Sequence, residues 1–340
     1  MFGTFLFRTG ASRRLLSFTT AFVFLFTAVL VHAKDYTRIV VFGDSLSDTG
    51  NMAHLYGEQP AGLRFPAPWA DYTDGRFTDG VDTIPYARNY FGVWIEQFAA
   101  SMPSRPHVVN SLDGGTNYAY GFALTGDGTG LFYPDDDVTF SVPINNMGQQ
   151  ITDYLATKPK INNSTLFVIW GGANDLLHGG ASGILTAAEN EVADIQRLIE
   201  AGATQFLVLN LPPLGLTPRI NPYPDSARDA TLASAYFNYF LAGGLAAVKD
   251  YYPNRHVVLF QLDVFSLFNQ IAAAPADYGL ANISDFSRTK YLVNPDTYLF
   301  WDDIHPTTRG HSIVAEAAIK LVASPQCDAL GMPSCAAAVH

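Results

Sequence analysis

Apolar residues recur along this chain in two alternating rhythms. Short unbroken runs, Ile39-Val40-Val41-Phe42, Leu166-Phe167-Val168-Ile169-Trp170, Phe206-Leu207-Val208-Leu209 and Val257-Val258-Leu259-Phe260, have the length and branching of strands buried on both faces. His107-Val108-Val109-Asn110 reads as a further strand, second in chain order. Between them, apolar positions recur at helical spacing over residues 92–100, 146–156, 187–201, 227–251, 263–272 and 308–323. Strands alternating with helices predict an α/β fold with a parallel sheet covered on both sides. Five strands and their helices fill residues 34–340 with no linker, internal repeat or second core, so one domain is expected.

Residues 52–90 break both rhythms. Pro60, Pro66, Pro68 and Pro85 punctuate them among Phe65, Trp69, Tyr72, Phe77, Tyr86 and Tyr90. Loops of this length are either functional or packed by their own side chains, so this one walls a cleft or caps the body. Gly126-Asp127-Gly128-Thr129-Gly130 lacks dinucleotide-fingerprint spacing and is assigned to turns; Asp135-Asp136-Asp137 reads as a solvated acidic turn.

Ahead of the first strand, residues 1–33 have the form of an export signal. Arg8, Arg13 and Arg14 precede an apolar stretch from Leu15 to Val31, and Val31-His32-Ala33 offers small residues for cleavage. A secreted or periplasmic protein is expected. Without those residues the chain holds 17 Lys and Arg against 31 Asp and Glu, a net charge of −14. That acidity repels nucleic acid and anionic head groups, leaving only apolar contact with lipid surfaces. Cys327 and Cys335, close together in an exported chain, are expected to pair. Neither has a ligand neighbour at metal spacing.

The candidate chemistry begins where the first strand stops, at Gly43-Asp44-Ser45. A serine at a strand-to-helix corner sits where open α/β sheets bind ligands, followed by backbone N–H groups able to meet negative charge. It could equally be a helix cap. As a nucleophile it needs a histidine base held by a carboxylate. Among the histidines after the signal, only His305 has an acid three residues before it, Asp302, and a proline directly after it. The oxyanion of an attacked ester would need preorganised donors, and three stand near strand ends: the N–H of Ser45, the N–H of Gly121 and the side-chain amide of Asn174.

Together these segments resemble the GDSL (SGNH) esterases and lipases. Phe42-Gly43-Asp44-Ser45-Leu46-Ser47-Asp48-Thr49-Gly50-Asn51, Asn117-Tyr118-Ala119-Tyr120-Gly121, Gly171-Gly172-Ala173-Asn174-Asp175 and Phe300-Trp301-Asp302-Asp303-Ile304-His305-Pro306-Thr307 are similar to that family's four blocks. Gly75-Arg76-Phe77-Thr78-Asp79-Gly80 is similar to a segment of its longer bacterial and plant members. The resemblance implies a three-layer α/β/α, flavodoxin-like fold with sheet order 2-1-3-4-5. It implies Ser45 as nucleophile, His305 as base and Asp302, rather than Asp303, as orienting acid. Ser45, Gly121 and Asn174 would form the oxyanion hole, with no metal or organic cofactor. The stretch from Val81 to Val93 is longer than the family's usual connection.

The activity expected is a secreted serine carboxylic-ester hydrolase acting through an acyl-enzyme on lipid or other small acyl esters. Phospholipase or acyltransferase action and polysaccharide deacetylation are the near alternatives. A secreted binding protein on the same scaffold is the alternative from another class. Nothing in the sequence speaks to oligomeric state.

Overall fold

The computed structural model describes residues 34–57, 72, 74–79, 90–132, 142–290, 293–324 and 335–336. The export signal, Asp135-Asp136-Asp137, Cys327 and most of the proline-punctuated stretch lie outside them.

In chain order the elements are β1 (Arg38–Gly43), α1 (Asn51–Gly57), α2 (Trp94–Ser101), β2 (Thr129–Phe132), β3 (Val142–Asn145), α3 (Met147–Ala156), β4 (Thr165–Trp170), α4 (Ala173–Gly179) and α5 (Ile184–Glu200). There follow β5 (Gln205–Leu209), α6 (Pro224–Tyr251), β6 (Val258–Leu262), α7 (Val264–Ala273), β7 (Asn282–Phe286), β8 (Tyr298–Phe300), α8 (Thr308–Val322) and β9 (Cys335–Ala336). The central sheet runs β1-β4-β5-β6-β9, all parallel. β2–β3 and β7–β8 are small two-stranded additions that the hydrophobic pattern did not announce.

Strand side chains alternate between two cores. Ile39, Val41, Leu166, Val168, Leu207 and Leu209 face one, with α2, α7 and α8. Val40, Phe42, Phe167, Ile169, Phe206 and Val208 face the other, with α3, α5 and α6. Both faces are therefore dry, which is why these strands read as continuous apolar runs rather than as alternating ones.

One strand assignment is corrected. Residues 107–110 are not the sheet neighbour of β1. That place is taken by residues 116–120: Val41 N–H donates to Thr116 O at 3.0 Å, Tyr118 N–H to Val41 O at 2.8 Å and Tyr120 N–H to Gly43 O at 3.2 Å. The Asn110 side chain accepts from Asp113 N–H and turns the chain back through the 3₁₀ turn Ser111–Asp113. Asn110 is left with a single bridge to Asn117, on the outer side of that segment. The fifth strand of the sheet is instead β9, at the opposite edge. The expected order thus holds for the four strands β1, β4, β5 and β6; the place beside β1 is filled by residues 116–120 instead of 107–110, and β9 is added beyond β6.

Candidate active site

Three loops converge at the carboxyl ends of β1 and β4. The first leaves β1 at Gly43, whose N–H and C=O both bond the buried Gln150 side chain. Asp44 O accepts from Ser47 and Asp48 N–H, curling one tight turn with Ser45 at its outer corner. Asn51 donates to Asn117 O and Ala119 O, and Asn117 donates back to Ser47 O and Thr49 Oγ1. The corner is thereby braced against the segment beside β1.

The second loop leaves β4 through Gly171-Gly172. Gly172 has φ of 92°, and a Cβ there would lie 2.6 Å from the Phe237 ring, so only glycine serves. Asn174 follows in the first turn of α4, and its amide donates one hydrogen to Ala123 O at 3.0 Å. An amide carries two hydrogens, so the other is left for a ligand in the cleft that Asn174 lines.

The third loop, between β8 and α8, carries Asp302 and His305. His305 Nε2 is 2.9 Å from Ser45 Oγ, and its Nδ1 is 2.9 Å from Asp302 Oδ2. Asp302 Oδ1 accepts from Ile304 N–H at 2.9 Å and His305 N–H at 2.6 Å. The imidazole therefore keeps its proton on Nδ1, donates that N–H to the carboxylate and presents a bare Nε2 to the serine. Burial alone would raise the Asp302 carboxyl, but His305, that residue's backbone N–H and Tyr72 together outweigh it and hold the group well below the ordinary carboxylate range. Asp303 points elsewhere, into an ion pair with Arg219 at 2.9 Å. Burial pushes the nearby Asp44 carboxyl up to about 7, against the Leu46 N–H and His305, which favour its charged form.

Gly121 stands differently from the sequence expectation. Its N–H donates to the buried Asp48 Oδ2 at 2.9 Å, a carboxylate that also collects the N–H groups of Gly50, Asn51 and Met52. An N–H already spent on a carboxylate is not a preorganised oxyanion donor. What Gly121 supplies here is space, since a Cβ would overlap the Phe77 ring. Gly121→Ala is expected to lower stability by about 1–3 kcal/mol through overpacking, read as an earlier midpoint in urea unfolding; an unchanged midpoint contradicts this account.

The glycine-arginine-phenylalanine block acquires a role that the sequence did not disclose. Phe77 packs 5.3 Å from the imidazole of His305. Thr78 Oγ1 donates to Pro306 O at 2.9 Å, and Asp79 Oδ1 accepts from Thr308 N–H at 2.6 Å. Arg76 anchors the block to Glu96 of α2. The block thus grips the His305 loop from behind. Tyr72 also reaches the site, its hydroxyl donating to Asp302 Oδ2. The sequence signals for these contacts were the block's resemblance and the clustering of aromatics, neither of which names a partner.

Beside Ser45 opens a cleft of about 600 Å³ including its mouth, its walls largely apolar: Leu46, Leu177, Leu214, Phe268, Phe300 and Ile304. Among the described residues, no cluster of three or more His, Cys, Asp or Glu side chains could hold a metal ion.

Residues 39–318 match a family model described as GDSL-like Lipase/Acylhydrolase. A phosphatidylcholine-sterol acyltransferase of Aeromonas hydrophila is 27% identical, over 87% of this chain and 94% of its own. A GDSL esterase/lipase of Arabidopsis thaliana is 22% identical, over 89% of this chain and 94% of its own. A secreted effector protein of Salmonella typhimurium is 24% identical, over 83% of this chain and 62% of its own.

Proposed function

The chain belongs to the GDSL-like lipase/acylhydrolase family, and we propose that it is a secreted serine hydrolase of apolar acyl esters, with Ser45 as nucleophile, His305 as base and Asp302 as orienting acid. The hydrolysis of ester bonds follows from the family; the residue roles, the substrate and secretion through a leader at residues 1–33 are our reading. The observation that carries it is the 2.9 Å approach of His305 Nε2 to Ser45 Oγ, with Nδ1 committed to Asp302.

In this reading Ser45 Oγ attacks the ester carbon and its proton passes to Nε2. The oxyanion is met by the Ser45 N–H and the free amide hydrogen of Asn174. For Gly121, the bond to Asp48 removes it from the proposed donors. Collapse of the tetrahedral adduct breaks the ester C–O bond, and the departing alkoxide takes the proton from Nε2. Water then attacks the acyl-enzyme, giving its proton to Nε2, which returns one to Ser45 Oγ as the acid leaves. The imidazole must enter the reaction unprotonated at Nε2, since only that form can take the serine proton. Because the acyl-enzyme can also be resolved by another alcohol, the Aeromonas hydrophila relative, an acyltransferase by name, makes acyl transfer the second reading.

The apolar walls of the cleft favour an acyl chain of several carbons. Two measurements test the assignment. A fluorophosphonate is expected to label Ser45, and a 4-nitrophenyl ester series to peak above acetate. A folded but unlabelled protein would point to the non-catalytic binding alternative; a preference for acetate would count against the apolar acyl chain.

A further inference from the structure

We propose that Tyr72 is a positioning residue for the Asp302–His305 pair, its hydroxyl holding the carboxylate and the imidazole in one hydrogen-bonded ring. The proposal rests on the reading of His305 as the base. Tyr72 lies 230 residues before Asp302, in the aromatic stretch that the sequence left open between cleft wall and structural loop. Its hydroxyl donates to Asp302 Oδ2, and its oxygen lies 3.1 Å from His305 Nδ1.

The proton count decides the arrangement. Nδ1 already carries a proton, and this N–H donates to Asp302. The phenol must therefore spend its own single proton on the carboxylate and offer only its oxygen to Nδ1. Asp302 then receives four donors: the Ile304 and His305 N–H groups on Oδ1, and the imidazole and the phenol on Oδ2. A carboxylate accepts at about four lone-pair sites, so none is left to water and the group cannot turn. The Nδ1–H direction is fixed with it, and hence the aim of Nε2 at Ser45. Packing supports the same geometry: the Tyr72 ring stands edge-on to the imidazole at 5.9 Å and 5.4 Å from Phe77. Burial, and then the charge of Asp302, drive the phenol far above its ordinary range, so it remains a donor at any working pH. The other charged groups facing this ring are Asp303 with its partner Arg219, and Arg288, toward Tyr72, and Asp44 and His311 toward His305.

Tyr72→Phe keeps the ring and removes only the hydroxyl. It is expected to lower kcat about tenfold with KM changed by less than about twofold. Asp302, one donor short, should hold the imidazolium more strongly and move the acid limb of kcat/KM to higher pH. 3-Fluorotyrosine placed at position 72 is a stronger donor of nearly the same shape and should move the limb to lower pH. It also keeps the test open if Tyr72→Phe fails to fold. A limb unmoved in the fluorotyrosine protein and in folded Tyr72→Phe overturns the proposal, including the case in which kcat falls through packing alone. Retained turnover in Ser45→Ala or His305→Ala would instead remove the catalytic reading beneath it. Inactive Ser45→Ala and His305→Ala with unmoved limbs would remove the Tyr72 role alone.

Discussion

Ser45→Ala is expected to lower kcat for a chromogenic short-chain ester on the order of 10⁶-fold, the loss seen when the nucleophile of a Ser-His-Asp constellation is removed. The size follows from the route. Without Oγ no acyl-enzyme forms, and what remains is binding beside the Asn174 amide and backbone N–H groups. Those alone preserve roughly 10³–10⁴ over the uncatalysed rate. The fold should survive, because Ser45 sits at the outer corner of a turn whose internal hydrogen bonds come from Asp44, Ser47 and Asp48 rather than from Oγ. The unfolding midpoint should therefore stay at the parent value while turnover and fluorophosphonate labelling vanish together. Turnover retained by a folded Ser45→Ala protein would refute the nucleophile assignment.

Asp302→Asn is expected to lower kcat about 10⁴-fold with substrate binding little changed. A carboxylate only accepts, so it obliges Nδ1 to be the protonated nitrogen. A carboxamide has one acceptor oxygen and one NH₂ group. If that NH₂ faces the imidazole it donates to Nδ1, the proton moves to Nε2, and the lone pair aimed at Ser45 is lost. The same residue ties activity to stability. Its folded carboxyl lies below its unfolded value of about 3.8, so it contributes stability fully present above that value. This contribution is lost as pH falls through the lower, folded value. In Asp302→Asn the part of acid unfolding due to this group should disappear below about pH 4. A series of thermal midpoints across that range, paired with kcat, checks both effects. A variant with wild-type kcat would return the acid's role to Asp303, which here is engaged with Arg219.

Much of the site could be read from the chain because its signals are local. Asp302 and His305 are three residues apart, and Pro306 keeps His305 out of helical geometry, so a turn presents both side chains together. Ser45 follows a strand that ends abruptly, and the carboxyl end of a strand in an open parallel sheet is where ligands bind. The edges of the sheet were less legible. Val108 and Val109 favour a strand, yet Asn110 binds Asp113 and reverses the chain, while the glycine-bounded residues 116–120 take the vacant ladder. Strand propensity says that a segment can pair, not with which partner.

The alternation of strands and helices, the serine at the first corner and the Asp-x-x-His spacing were determined by the sequence alone, because each is written in residues a few positions apart, and the family was legible because several such local blocks occur together along the chain. Tertiary structure decided the rest. It turned the Gly121 N–H to Asp48, set Phe77 beneath the imidazole, and gave Asp302 a phenol from 230 residues away. A donor's partner is whichever acceptor packing brings within about 3 Å, and that is a property of the folded chain rather than of any segment of it.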